Sequence, residues 1–196
     1  MQDLATVGVA SVPLLTEAEQ RLLLTEAEQL DYRPKIGTVG KDDAMVHEEY
    51  SVCDAFAASS PFADLREATQ LLFDRQLAEV EPYPFTSRLQ FNAMVLQRYE
   101  PGQLGITPHR DRLSSINLIC IYTIAGQGQF YRCADRQGTD TVAIDTTPGN
   151  AIFLRAPGFL GSQARPFHTI GNIRSTRYSF ALRQQRSNDV AIEIRG

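Results

Sequence analysis

The feature that most limits the fold of this chain is a two-residue period that begins just after residue 87. Apolar and polar side chains then tend to alternate, and one of the two sets consists of Leu89, Phe91, Ala93, Val95, Gln97 and Tyr99. Neighbouring side chains of an extended chain point to opposite faces. This period therefore predicts a β-strand over the segment.

More strand-like segments come later in the chain, each short and several bounded by turn-forming residues. Glycine-containing turns at 126–128, 136–138 and 147–150 separate some of them. We predict these further strands at residues 116–124, 129–133, 141–144, 151–154, 169–170 and 177–183. Many short strands joined by tight turns are typical of β-sandwiches and barrels.

The first half of the chain has helical patterning. Thr16 and Glu19 fit a capping box that begins a helix reaching about residue 30. Ser60 followed by Pro61 begins a second helix, which the apolar spacing extends to about residue 78. We expect both helices to pack on the outside of one sheet. The polar, glycine-marked segment 37–49 between them is either a plain loop or a mobile lid.

These patterns predict a mainly β fold with flanking helices (α+β) in a single domain, residues 1–196. Residues 1–86 would form a helical extension with the lid region, and residues 87–186 the β core. No apolar run suits a membrane span and no N-terminal signal pattern is present, so we expect a cytoplasmic protein that does not contact membranes. The 3 cysteines form no CxxC pair, which favours reduced thiols. Oligomeric state has no signal in the sequence.

The formal net charge of −4 hides two unlike halves. Acidic residues are concentrated before residue 98, whereas the balance after it is positive and every base there is an arginine. Arginine presents a planar fork that matches carboxylate and phosphate oxygens. The arginines are therefore either solvated surface or part of a site for an anion.

A candidate metal site lies within the predicted β region. His109 and Asp111 are two residues apart, so an extended chain would point both side chains the same way. A second histidine of the region, His168, can complete a set of three ligands. Two histidines and one carboxylate, with open positions opposite, suit iron(II), and they also suit zinc. Because an HxD pair often occurs by chance, the interpretation as a metal site depends on the residues that follow His168.

The last predicted strand carries a candidate anion clamp. Alternation puts Arg177, Ser179, Ala181 and Arg183 on one face, where the two small residues leave room between the arginines. A small dianion would fit there and would partner both charges, since unpaired buried charge is costly. The alternative is an exposed sheet face with solvated arginines. On the first strand of the β region, Gln97 and Tyr99 share the apolar face, so both are expected to point inward and hydrogen-bond a carboxylate.

His109, Asp111, His168 and Arg177 together resemble the pattern of the iron(II)/2-oxoglutarate-dependent dioxygenases. The resemblance covers about residues 88–185 and implies a double-stranded β-helix core, a jelly-roll or cupin-like fold. It also implies iron(II) as cofactor, with 2-oxoglutarate and O2 as cosubstrates. Segment 97–102 and the closing strand look like the AlkB branch of that superfamily.

The resemblance also implies roles for individual residues. The metal ligands, which are also the catalytic residues, would be His109, Asp111 and His168. The far carboxylate of 2-oxoglutarate would contact Arg177 and Tyr99, and the metal-chelating end would lie near Arg183 and Gln97. The cosubstrate site would also include Ser179.

Two departures from the AlkB pattern weaken the case for a nucleic-acid substrate. Ser179 and Ala181 stand where the closing motif RxNxTxR has Asn and Thr, and Leu113 replaces an acidic residue that AlkB-type demethylases commonly have near the substrate base. The acidic chain also lacks the basic footprint of nucleic-acid binders. A local footprint would have to come from Arg110, Arg112, Arg165 and Arg174.

We therefore expect a dioxygenase that hydroxylates a C–H bond of a small-molecule or peptide substrate and converts 2-oxoglutarate to succinate and CO2. The alternatives are oxidative demethylation of alkylated nucleic acid and a non-catalytic, cupin-like protein that binds a small ligand. A zinc hydrolase is a further alternative, but it leaves Arg177 and Arg183 unexplained. His47 in the 37–49 segment is either a substrate contact or a solvated loop residue.

Overall fold

Strands from both halves of the chain form one antiparallel sheet that curls into a nearly closed barrel. The computed structural model describes residues 2–186. Its helices are α1 (Gln2–Thr6), α2 (Glu17–Ala27) and α3 (Pro61–Leu77), with one 3₁₀ turn, Asp42–Ala44. Its strands are β1 (Val9–Pro13), β2 (Arg33–Val39), β3 (Val46–Cys53), β4 (Ala93–Tyr99), β5 (Gly105–His109), β6 (Ser115–Ala125), β7 (Gln129–Cys133), β8 (Val142–Ile144), β9 (Asn150–Arg155), β10 (Phe167–Gly171) and β11 (Arg177–Gln185).

The order of the strands brings β1, early in the chain, and β11, the last described strand, into one jelly-roll core. Neighbours in the sheet have the order β1-β9-β6-β11-β4-β3-β5-β10-β7-β8, and β2 pairs with β3. Sequence-distant strands are therefore adjacent, which is typical of the jelly-roll architecture. The predicted fold class, mainly β with flanking helices, is confirmed.

Two apolar clusters lie on the two faces of this sheet. The inner cluster fills the barrel and includes Ile119, Ile152 and Ala181. The outer cluster packs α2 and α3 against the opposite face, where Phe62 of α3 meets Phe180 of β11 with ring centroids 4.8 Å apart. The alternation along β11 thus divides its side chains between barrel interior and helix layer, as the sequence pattern predicts.

Both predicted helix starts are confirmed. The Thr16 hydroxyl accepts a hydrogen bond from the backbone N–H of Glu19, whose carboxylate in turn accepts from the Thr16 N–H, which completes the capping box. Ser60 caps α3 in a similar way, and Pro61 occupies the first turn.

The segment 37–49 is not a plain loop, so that alternative is wrong, whereas the mobile-lid alternative stays a prediction. It belongs to the β2–β3 hairpin, which turns through the 3₁₀ segment Asp42–Ala44. The first half also contains β1, which the helical patterning did not indicate. These strands are stabilised by partners distant in sequence, such as β9 for β1, and local patterning does not reveal such partners.

The division into a helical extension and a β core stays a prediction. Met1 and residues 187–196, which the predicted single domain includes, lie outside the described residues. Among the helices of residues 2–186, none has the length and apolar character needed to cross a membrane.

Candidate metal centre

A β-bulge brings the two core histidines together on the barrel interior. In the β5–β10 ladder His109 pairs with His168, whereas Ile106 pairs with Ile170, so β5 carries one residue more than β10 between these pairs. In a regular strand, His109 and Ile106 would point to opposite faces because they are three residues apart. The extra residue reverses this alternation, so both side chains point to the inner face. Bulges commonly re-aim a side chain beside a functional site. The two imidazole centroids lie 4.3 Å apart.

Both imidazoles use the same nitrogen to contact the backbone. His109 Nδ1 lies 2.9 Å from the Thr107 carbonyl oxygen, and His168 Nδ1 lies 3.3 Å from that of Pro166. A ring that donates its Nδ1–H keeps the lone pair of Nε2 available, and this arrangement is typical of metal-bound histidines. Phe130 stacks on His168 with centroids 5.3 Å apart and restrains the ring.

Burial keeps both histidines neutral. It lowers the pKa of His109 to about 4, an effect that neighbouring His168 increases and Asp111 opposes. Burial also lowers the pKa of His168. Neutral imidazoles are the protonation state that a metal ion requires.

Asp111 lies next to His168, with its two carboxylate oxygens in different environments. Oδ1 accepts hydrogen bonds from Nε and Nη2 of Arg183 at 3.3 and 3.2 Å. Oδ2 is buried without a hydrogen-bond partner and lies 3.4 Å from His168 Nε2. Burial alone would raise the pKa of Asp111, but Arg183 and the two histidines lower it to about 2, so the carboxylate is ionised. Arg165 donates to the Asp111 main-chain oxygen.

The donor set fits a divalent metal ion. Two Nε2 atoms left available by their Nδ1 contacts adjoin a carboxylate oxygen that lacks a partner. A buried, unpartnered carboxylate oxygen is costly, and a cation would satisfy it. No three His, Cys, Asp or Glu side chains within residues 2–186 are already arranged around a common metal position. Binding would therefore require side-chain adjustment.

A second charged group, Arg177, is buried on the same strand face as Arg183. Only 2% of Arg177 is exposed. Its Nη1 donates to the Ser179 hydroxyl and its Nη2 donates to Thr123 Oγ1 at 3.1 Å, while Nε has no partner. Its guanidinium carbon lies 5.9 Å from the centroid of the Tyr99 ring.

Arg177 forms no ion pair with any acidic side chain that the structure describes. Burial lowers its pKa to about 10, which Tyr99 partly opposes. A charge buried in this way is costly unless an anion joins it. Of the two arginines in the predicted anion clamp, Arg177 lacks an acidic partner among the described residues, whereas Arg183 pairs with Asp111, so the two-arginine clamp stays a prediction.

Gln97 and Tyr99 reach the barrel interior through β4, as their parity predicts. Tyr50 of β3, which the sequence did not indicate, stacks on Tyr99 with ring centroids 5.3 Å apart. Its hydroxyl interacts with Gln97 and lies 3.4 Å from Glu48 Oε1. Burial raises the pKa of Tyr50 to about 12, so it is a neutral hydrogen-bonding group.

The predicted residues thus form two adjoining groups along one barrel interior. One consists of His109, Asp111, His168 and Arg183, and the other consists of Arg177, Ser179, Tyr99 and Gln97. Sequence reasoning missed Thr123, Tyr50 and Phe130. These residues lie on β6, β3 and β7, on the side-chain face that points into the barrel. The alternation along each strand could have identified them only if the order of the strands in the sheet had been known. Exposed His47 lies outside both groups, where its Nδ1 is 2.8 Å from Thr38 Oγ1.

Known proteins share this fold but little sequence. No protein-family model matches the chain, and no curated protein is detectably similar to it. Among solved structures, a prolyl hydroxylase from Trichoplax adhaerens, in complex with a hypoxia inducible factor oxygen degradation domain peptide fragment, has a TM-score of 0.65. It is 14% identical over 97% of this chain and 89% of its own.

Two further structures are similar. A Pseudomonas putida prolyl-4-hydroxylase has a TM-score of 0.60 and 15% identity, covering 95% of this chain and 97% of its own. A viral collagen prolyl hydroxylase from Paramecium Bursaria Chlorella virus-1, in a 2-oxoglutarate complex, has a TM-score of 0.59 and 10% identity over 91% and 96% of the two chains. This chain thus shares the jelly-roll fold of these three hydroxylases. None of these three neighbours is described as AlkB-like, so the AlkB branch stays a prediction.

Proposed function

We propose that this protein is an Fe(II)- and 2-oxoglutarate-dependent dioxygenase that hydroxylates a C–H bond of a small-molecule or peptide substrate. The observation that carries the proposal is the pairing of two unlike groups in one barrel. His109, His168 and the unpartnered Oδ2 of Asp111 offer a ligand set for iron(II), and Arg177 nearby is a buried cation without an acidic partner among the described side chains. The fold shared with prolyl hydroxylases supports the same assignment.

In this proposal each group has a defined task. Bound iron(II) would supply the redox chemistry that couples O2 to decarboxylation of 2-oxoglutarate, giving succinate and CO2. His109, His168 and Asp111 would hold the metal. Arg177 and Tyr99 would bind the far carboxylate of 2-oxoglutarate, with Ser179 orienting the guanidinium.

The remaining residues would orient the reacting end and limit water. Arg183 keeps Asp111 ionised, and it would lie near the metal-chelating end of 2-oxoglutarate together with Gln97. The inner apolar cluster, with Ile119 and Ile152, surrounds the site and reduces the access of water.

The test is anaerobic addition of iron(II) and 2-oxoglutarate, followed by admission of O2. We expect a weak visible absorption band before O2 and succinate afterwards. His168→Ala should abolish both, and Arg177→Gln should raise the 2-oxoglutarate concentration needed for half-maximal succinate formation. Absence of the band and of succinate, with metal affinity unchanged in His168→Ala, would contradict the proposal. It would also favour a non-catalytic, cupin-like binding protein.

Oxidative demethylation of alkylated nucleic acid is a second candidate, because Arg110 and Arg165 adjoin the candidate metal ligands. Arg174 lies beyond the other end of β10 and does not contribute to that surface. Release of formaldehyde from methylated oligonucleotides, compared with hydroxylation of a peptide and metabolite panel, separates the two reactions.

A further inference from the structure

Four arginines lie next to the candidate metal ligands or next to Phe167, the residue before His168, and we call them the basic rim: Arg110, Arg132, Arg136 and Arg165. Two of them share one aromatic ring. The guanidinium carbon of Arg110 lies 4.0 Å from the centroid of the Phe167 ring, and that of Arg136 lies 5.5 Å from it. Phe167 directly precedes inward-facing His168 in β10, so its ring lies on the outer face of that strand, and the stack holds two positive charges there.

The other two arginines of the basic rim lie closer to the ligands. Arg165 donates to the main-chain oxygen of Asp111 and lines a narrow cleft that Asp111 and His168 also line. Arg132 stands opposite His168 in the β7–β10 ladder, so their side chains leave the sheet on the same face. The basic rim thus extends from the outer surface of β10 to the opening beside His168.

None of the four arginines forms an ion pair within 4 Å with an acidic side chain that the structure describes, although the nearby Asp111 carboxylate interacts electrostatically with Arg165. Arg110 is exposed, but the other three are half-buried and therefore less hydrated. Like charges held together by stacking and hydrogen bonds repel one another, and partial burial weakens the screening by water. An anion bound at the basic rim would offset this repulsion between the guanidinium groups. Fully solvated surface arginines would be screened by water and would not require such a partner.

The surroundings favour a polypeptide as the source of the anionic groups. Met45 is 51% exposed, and its carbonyl oxygen accepts a hydrogen bond from Arg136 at 3.4 Å. Leu113, 55% exposed, lies two residues after Asp111. Apolar side chains next to guanidinium groups match a segment that carries both carboxylates and apolar residues.

The edge of the sheet and the overall charge support the same choice. All of β2 is exposed, and among the described strands it pairs only with β3, so its other edge offers unpaired backbone groups to an extended polypeptide. A long polyanion such as nucleic acid would also meet the rest of the surface, which belongs to a chain with a net charge of −4.

We propose that the basic rim recognises an acidic polypeptide segment and presents it to the metal site. This inference rests on the proposed dioxygenase function, of which it defines the substrate class. The carboxylates of the segment would contact Arg110 and Arg136, while Arg132 and Arg165 would lie nearer the reacting residue.

The test measures binding to the immobilised full-length chain without turnover. Three peptide libraries share the same randomised central segment. The residues on both sides of that segment are Asp and Glu in the acidic library, Asn and Gln in the amide library, and Lys and Arg in the basic library. We expect about tenfold greater retention of the acidic library than of its amide isostere at low ionic strength, with the difference shrinking as salt is added. Equal retention of the three libraries would overturn the inference.

Matched variants assign the binding to the rim. Arg110→Gln/Arg136→Gln should lose most of the preference for the acidic library, and Arg110→Lys/Arg136→Lys should keep most of it. Arg174→Gln, which removes the same charge beyond the far end of β10, should change nothing. Thermal unfolding compares the folding of the variants. An unchanged preference in the double Gln variant, with its fold intact, would overturn the inference.

Two further readouts separate this inference from its rivals and from the proposed function. Stronger competition by a single-stranded oligonucleotide than by the acidic library would overturn the choice of a polypeptide. Peptide binding needs no turnover, so a lack of succinate would contradict the dioxygenase function while leaving the binding result in place. Succinate formation stimulated only by neutral peptides would contradict the basic rim and leave the dioxygenase function supported.

Discussion

Arg183 holds Asp111 by two hydrogen bonds to one carboxylate oxygen, with Nε and Nη2 at 3.3 and 3.2 Å from Oδ1. The other oxygen, Oδ2, is buried without a hydrogen-bond partner. The guanidinium therefore fixes the carboxylate and directs its unused oxygen toward His168. Contacts of this kind commonly tune metal affinity without touching the metal.

Replacing this guanidinium should weaken metal binding. Arg183→Gln removes the charge that stabilises ionised Asp111, and we expect the affinity for a divalent metal ion to fall about 10- to 100-fold. Anaerobic titration with Co(II), followed by visible absorption, measures the change. Arg174→Gln is the control, since it removes the same charge far from the site. Equal Co(II) affinity in both variants would show that Arg183 does not organise the carboxylate.

Replacing Arg177 should stabilise the protein in the absence of 2-oxoglutarate and remove the stabilisation that 2-oxoglutarate provides. Arg177 is buried without an acidic partner among the described residues, so Arg177→Met removes an uncompensated charge and should stabilise the cosubstrate-free protein by about 1 kcal/mol or more. The same change removes the anion clamp. Adding 2-oxoglutarate to the Mn(II)-loaded proteins should then raise the melting temperature of the wild type but not of the variant.

Thermal unfolding of both proteins, with and without the dicarboxylate, checks this prediction. Ser179→Ala is a milder control, because it removes a hydrogen-bond partner of the guanidinium and keeps the charge. If Arg177→Met destabilised the cosubstrate-free protein and kept the response to 2-oxoglutarate, Arg177 would be a structural residue instead.

Strand parity explains which parts of the site could be predicted from the sequence. Along β11 the alternation separates Arg177 and Ser179 from Phe180, because the inner and outer apolar clusters need opposite faces. The face of each residue can be read from the period alone. The same reasoning placed Tyr99 inside the barrel, but it was wrong for Leu89 and Phe91, which precede β4 and belong to the outer cluster.

Residues that depend on long-range pairing could not be predicted in this way. Tyr50 lies on β3, next to a segment whose glycines and charges are typical of a loop, and it enters the site because β3 pairs with β4 and β5. The bulge that turns His109 inward is likewise a property of the β5–β10 pair. Local propensity is a weak guide where sequence-distant partners stabilise a strand.

The burial of His109 should make the metal-free protein less stable in mild acid. Burial lowers the folded-state pKa of His109 to about 4, whereas an unfolded histidine titrates near about 6.5. The unfolded chain therefore binds a proton at a higher pH than the folded chain does. This contribution to stability is complete above the unfolded pKa and is lost as the pH falls toward the folded value, at a cost of up to about 3 kcal/mol.

Urea unfolding at pH 7 and at pH 4.5 measures this loss. His109→Gln lacks the titrating group, so the difference in unfolding free energy between the two pH values should be smaller in the variant. The wild type and His109→Gln should be compared without metal, because a bound ion would hold the imidazole neutral. An equal loss in both proteins would mean that other groups cause the acid sensitivity.

The turn that leads into β5 offers a matched pair of glycines for testing how His109 is positioned. Gly102 and Gly105 both have a φ of +83°, in the left-handed region that favours glycine. A Cβ on Gly102 would meet nothing within 4 Å, whereas one on Gly105 would lie 2.1 Å from the carbonyl oxygen of Ile170 on β10. Gly102→Ala should therefore cost only the backbone strain, about 1 to 2 kcal/mol.

Gly105→Ala should lower the unfolding free energy by at least about 2 kcal/mol more than Gly102→Ala does. The reason is that β5 and β10 must move apart to relieve the contact between the new Cβ and the Ile170 carbonyl oxygen. That ladder also pairs His109 with His168, so the variant should lose metal affinity as well as stability. Chemical unfolding and Co(II) titration of both variants measure the two effects. Because the backbone strain is the same, the difference between the variants isolates the contact with Ile170. Equal destabilisation with equal Co(II) affinity would mean that the close packing of these strands does not position His109.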